Sequence, residues 1–348
     1  MSPRPAPLTI AFALFVFPAC GGDAMPTGPA RPDAGVARDA GGRTDAGVPT
    51  DAGPMPPASV WSIPPTRPPE SSPVDVAPGD QSGAWCGALR VNADVTVPLG
   101  ETLTVCAGAT VSFADGAGLT VRGTLRVEGT AAAPVFFYAA PAATWPGIGA
   151  AGDIVATYFD VSGASVAIET LAGANVMVTR GWLHDSAYGL RIGGGGTFDH
   201  VAVLGGSTTA VSGGALVMTD SIIDLAHPTV SPDCTNFVGG GATLTHVRFT
   251  GCHCPLHITH TDTDVTLTDS LFDGASVAMM IAETRATAHG NAFIATGTGI
   301  QDIGGGIVAD VSGNYFEAPN VLSTTMAAQF TGSDVRLDAR PADVGPRP

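Results

Sequence analysis

Across the second half of the chain one short pattern returns roughly every 20 to 26 residues. It reads Leu216-Val-Met-Thr-Asp220-Ser-Ile-Ile223, Ala242-Thr-Leu-Thr-His246-Val-Arg-Phe249, Val265-Thr-Leu-Thr-Asp269-Ser-Leu-Phe272, Ala286-Thr-Ala-His-Gly290-Asn-Ala-Phe293 and Ala309-Asp-Val-Ser-Gly313-Asn-Tyr-Phe316. Each copy is a short alternating strand, a polar or Gly corner, and an apolar residue that must point inward. Alternation with period two buries one face of a strand, and a repeat of this length with no helical stripe between copies describes one coil of a β-solenoid. The expected fold class is therefore all-β. Aligning the copies places further coil starts near Ile154, Val176 and Gly196.

The solenoid accounts for only part of the chain, because composition divides it into an export segment, a low-complexity linker and one large folded unit. In the folded part Gly and small residues abound while aromatics are 6% of the chain, which suits narrow stacked coils. All 15 basic residues are Arg, Lys is absent and the formal charge is -16, so the field repels nucleic acid and anionic lipid. Without Lys there is no Schiff-base chemistry and no Lys general base.

Residues 1–19 read as a signal peptide: Arg4 precedes the apolar run Leu8–Phe17, which is too short to span a bilayer. Cys20 follows directly among small residues and resembles the lipobox cysteine of bacterial lipoproteins, which implies diacylation at its sulfur and membrane anchoring. Ordinary signal cleavage is the alternative. Gly21 resembles outer-membrane sorting, so the expected location is the outer membrane or surface of a Gram-negative cell. Residues 20–81 are rich in Pro, Gly, Ala and Asp and cannot offset the entropy of ordering. Asp-Ala-Gly recurs at Asp33, Asp39, Asp45 and Asp51, and we read this stretch as a disordered spacer.

The folded unit is placed at 82–340, with a tail at 341–348 read as a polar stop. It opens on Val95–Val105, Ala109–Phe113, Leu119–Gly129, Pro134–Phe137 and Trp145–Ile148. This succession resembles the entry coils of right-handed, single-stranded parallel β-helix repeat proteins, the pectate-lyase-like superfamily, and especially its myxobacterial-type cell-envelope lipoproteins. The resemblance implies the fold over about three quarters of the chain. It leaves activity open, since one scaffold hosts lyases, hydrolases, adhesins and structural parts.

Several residues then bear on chemistry. Cys86 and Cys106 lie 20 residues apart, about one coil, and are expected to form a disulfide clamping the first coil. Asn291 and Asn314 share one slot in consecutive coils, where stacked amides can bond along the ladder. Cys234 is expected to pair with either Cys252 or Cys254, on a loop opening at His227. A zinc site from Cys234, Cys252, Cys254 and His257 is the alternative, although the spacing is not a standard one. Arg180, His200, Asp220, His246 and Asp269 fall at one corner of successive coils. That column can be a ligand face for an acidic sugar or Ca²⁺, or a carboxylate pair for acid–base work. It can equally be a solvated turn. Trp182 and Tyr188 are the aromatic residues near it. No cofactor is expected, with Ca²⁺ at this column as the alternative.

The polygalacturonases and pectate lyases of the superfamily carry an Asp-Asp pair, a Gly-His-Gly or clustered Ca²⁺ carboxylates with an Arg base. None of these stands here, and Arg191 and Arg248 have no matching Asp cluster. The expectation is a non-catalytic, lipid-anchored β-helix acting as a structural or carbohydrate-contact module. A polysaccharide lyase or glycoside hydrolase is the first alternative, and a protein-binding adhesin the second.

Overall fold

The computed structural model describes residues 63–69, 72–205, 209–212, 215–225, 234–259, 264–304, 307–310, 312–317, 322–324 and 340–347. The signal segment, Cys20, the Asp-Ala-Gly spacer and His227 lie outside them. Among the described residues there is no helix. The chain winds as a parallel β-solenoid whose strands form one 20-stranded and one 12-stranded sheet. Each strand pairs with its counterpart in the next coil, so neighbouring coils satisfy each other's main-chain groups.

Register follows the inward apolar residue. Ile154, Val176, Gly196, Leu216, Ala242, Val265 and Ala286 stand in one column. The last coil departs by one residue: Val308, not Ala309, lies beside Ala286, and Thr287 pairs with Asp310. The extra residue is a β-bulge, which sequence spacing does not reveal. The solenoid also begins earlier than residue 82. Val74–Val76 pairs with Ala88–Val91, and Gly79–Asp80 pairs with Val95–Val97. Pro73 and Pro78 give this stretch the composition of the linker, yet its two valines align with Leu89 and Val91 and extend the sheet by one rung.

The interior is a stack of like upon like. Phe249, Phe272, Phe293 and Phe316 lie with ring centroids 5.0, 4.8 and 4.6 Å apart and planes within 10° of parallel. The centroid spacing is the coil spacing itself, so each ring buries its faces on its neighbours. Each buried Phe contributes about 2–3 kcal/mol, with about 1 kcal/mol more from ring pairing. Near the other end Phe113 stacks on Trp145 at 4.0 Å.

Candidate functional site

The column owes its place to backbone geometry. In the strands Asp153–Ser162, Asn175–His184 and Gly195–Leu204 the larger sheet turns a corner at a single residue. That residue has positive φ in eight successive coils: Tyr158 (45°), Arg180 (58°), His200 (54°), Asp220 (45°), His246 (55°) and Asp269 (49°), then Gly290 (71°) and Gly313 (69°). Asp, His and Gly are enriched in this left-handed region because their side chains tolerate it best. A polar column is thus what the corner selects, whatever the ligand.

The residue after each corner points inward. There Ser221, Ser270, Asn291 and Asn314 form a buried ladder. Ser221 Oγ accepts from Val201 N–H (3.0 Å), and Ser270 Oγ accepts from Val247 N–H (3.1 Å). Asn291 Oδ1 accepts from Ser270 N–H (2.9 Å), and its Nδ2 donates to Leu267 O (3.1 Å) and to Asn314 Oδ1 (3.0 Å). These bonds replace main-chain partners that the corner removes. The stacked amides at Asn291 and Asn314 are therefore structural.

On the outside, the column is not one continuous site. The guanidinium of Arg180 lies over the Tyr158 ring, 5.8 Å from its centroid. His200 and Asp220 come together, joined by Asp199, with ligand-capable atoms all within 4.8 Å of one another. His200 Nδ1 stands 3.1 Å from Asp199 Oδ2, and Thr219 Oγ1 donates to Asp199 Oδ1 (2.8 Å). His246, one coil on, is 8% exposed, and its Nδ1 is buried without a hydrogen-bond partner.

The tail, read from sequence as a polar stop, folds back over this corner. Val344 is buried against Leu271, Ala292 and Ile294. Gly345 N–H donates to Asp269 O (2.8 Å), and Arg347 grips Asp220 through Nε to Oδ1 and Nη2 to Oδ2, both 2.8 Å. Burial alone would raise the Asp220 carboxyl, but the hydrogen bonds and charge of Arg347 prevail and hold it below the usual carboxylate value. A polar stop would stay in water; here an apolar residue and a fork of charge-assisted bonds anchor it.

A second cluster escaped the sequence reading. His184 Nε2 lies 3.0 Å from Asp160 Oδ2, and its Nδ1 lies 2.7 Å from Asp185 Oδ2. Burial disfavours the charged ring, yet both carboxylates together hold the His184 imidazolium above its ordinary value. Asp160 is pushed up by its own burial, partly offset by His184 and Arg67. With a carboxylate on each ring nitrogen, His184 is engaged on both sides and is placed as a structural ion pair. The signal was available in register, since Asp160 pairs with Trp182 and Ser162 with His184. Trp182 is itself buried, and Arg191 lies over one face of the half-buried Tyr188 ring, 4.3 Å from its centroid. Arg191 and Arg248 are paired with Glu169 and Asp273.

Disulfides join Cys86 to Cys106 and Cys234 to Cys252, with Cα separations of 4.9 and 5.5 Å. Cys254 is buried and lies outside both bonds, its Sγ 3.3 Å from His253 Nδ1. In the disulfide-bonded chain Cys234 and Cys252 offer no thiolate to the cysteine zinc set. His257 pairs in register with Asn236 and Met280 along its strand row. No family model matches this chain, and no curated protein matches it in sequence.

Proposed function

We propose that the protein is an exported, lipid-anchored parallel β-helix, of the pectate-lyase-like kind, that contacts polysaccharide at the cell surface without catalysis. One observation carries this reading. The outer face of the larger sheet, beside the corner, is a flat array in which Met177, Thr197, Val217, Thr243, Thr266 and Thr287 stand in register, exposed or half-buried. The next column holds Thr179, Asp199, Thr219, Thr245 and Thr268. Methyls and hydroxyls repeating about every 4.8 Å suit the mixed apolar and hydroxylated surface of an extended sugar chain. Among the residues named in these two columns Asp199 alone is ionisable.

Export is supported by the disulfides, which persist in oxidising compartments, and anchoring by Cys20 after the apolar run. Labelled palmitate should enter the protein and be lost in Cys20→Ala. The main test incubates the exported chain with bacterial and plant polysaccharides, with and without Ca²⁺, before sizing chromatography of protein and sugar. Co-elution that Val217→Asp and Thr243→Asp abolish supports the reading. Shortened sugar chains would establish a lyase or hydrolase instead, and absence of co-elution would favour a protein-contacting role.

A further inference from the structure

We propose that Asp199, His200 and Asp220 form a binding site for a divalent transition-metal ion, and that Arg347 of the tail occupies Asp220 in the ion's place. The inference goes beyond the sugar-contact reading and does not depend on it, although Asp199 and Thr219 border the face that reading uses.

The donor set decides the class of ion. One imidazole with carboxylate oxygens suits Zn²⁺ and its neighbours better than Ca²⁺, which takes oxygen ligands alone. The separation fits as well: His200 Nδ1 and Asp199 Oδ2 are 3.1 Å apart, which is what two donors about 2.1 Å from a shared ion would span at a roughly right angle. The group is built rather than scattered. Thr219 Oγ1 ties down Asp199 Oδ1 and leaves Oδ2 toward the imidazole, the outer-shell support that orients metal ligands. His200 and Asp220 occupy consecutive corners, so the stacking of the coils sets their separation.

Two further observations concern the neighbouring corner and the charge of the group. His246, at the corner one coil beyond Asp220, is more than nine-tenths buried with its Nδ1 bonded to nothing. It lies on the coil between the tail's two anchor points, since Gly345 holds Asp269 and Arg347 holds Asp220. The second is the charge balance. Asp199 and Asp220 together carry two negative charges and Arg347 balances only one, whereas a divalent ion in its place balances both. Both cations require the Asp220 oxygens, which makes metal binding and tail docking compete. By linkage each weakens the other by the same factor.

The test is calorimetric titration of Zn²⁺ into the untagged, full mature chain, with hydrogen exchange read at Gly345 N–H. Wild type should bind close to one equivalent, and exchange at Gly345 should quicken on loading. Arg347→Ala, which removes the competitor, should bind roughly fivefold more tightly, the factor for an ion pair worth about 1 kcal/mol. A gain in affinity cannot come from misfolding. His200→Asn, which keeps a residue suited to positive φ, should lose the equivalent. No saturable binding in Arg347→Ala, unchanged binding in His200→Asn, or zinc loading that leaves Gly345 exchange unaltered would each overturn the proposal.

Discussion

Replacing Asn291 by Ala tests whether the inner ladder, and not the apolar stack alone, holds the corner. The side chain is fully buried and accepts from Ser270 N–H while donating to Leu267 O and Asn314 Oδ1. Truncation leaves Ser270 N–H and Leu267 O without these bonds, each costing about 1–3 kcal/mol when no water can reach it. Asn314 Oδ1 suffers less, because Asn291 N–H still donates to it at 2.9 Å. A small void adds to the loss, so we expect about 3–5 kcal/mol in all. Asn291→Ser should cost about half as much, since a serine at this slot accepts the neighbouring N–H elsewhere in the ladder, as Ser270 does from Val247. The assay is urea unfolding of the full chain combined with hydrogen exchange at Ser270. Exchange is needed because a solenoid can open coil by coil, so one midpoint can miss a local loss. A cost below about 1 kcal/mol with Ser270 still protected would refute the argument.

Three other outcomes follow from local geometry. Gly290→Ala should destabilise by about 1–2 kcal/mol, because φ is +71° and a Cβ there would lie 2.5 Å from Asp269 Oδ1; Ala142→Gly, at an exposed site with φ 60°, should gain up to about 1 kcal/mol in the same thermal melts. His184 holds its proton more tightly when folded, so its contribution is complete below its ordinary value of 6.5 and is lost as pH rises through the raised one; stability measured upward from pH 6.5 should fall, and His184→Gln should flatten that slope. Cys86 is exposed whereas Cys234 and Cys252 are buried, so mild reductant should open Cys86–Cys106 first, at a cost of about 3 kcal/mol; mass mapping of alkylated thiols that showed Cys234 modified first would contradict this.

The coil and its register were legible because they rest on local periodicity. Alternation marks which side chains turn inward, and seven of the eight aligned starts stand in one register column. The eighth failed at a bulge, where one added residue leaves the alternation intact on both sides. The first rung failed because two prolines mask two valines. Cys252 and Cys254 have the same parity along the chain, so alternation could not choose between them as partner for Cys234. Asp199 was overlooked although it precedes His200 directly, because it sits on the flat face and not at the corner. Arg347 reaches Asp220 across 127 residues, and no local pattern encodes a contact of that span.

The same corner explains why sequence alone overstates a ligand column and understates the site within it. A left-handed position one residue long admits Gly, Asp and His at least cost, and it points each side chain outward, so successive coils line up polar groups by default. Arg180 follows that rule only with help, its guanidinium resting over Tyr158 one coil before. What distinguishes Asp220 from Asp269 is therefore not its conformation, since their φ angles are 45° and 49°. It is the company: Asp199 on the adjoining face, His200 on the preceding corner and a guanidinium brought back by the tail. Selection for backbone geometry accounts for the column, whereas a residue on the flat face and a distant arginine have no such reason to converge. Their convergence on Asp220 is the part of this surface that the fold alone does not require.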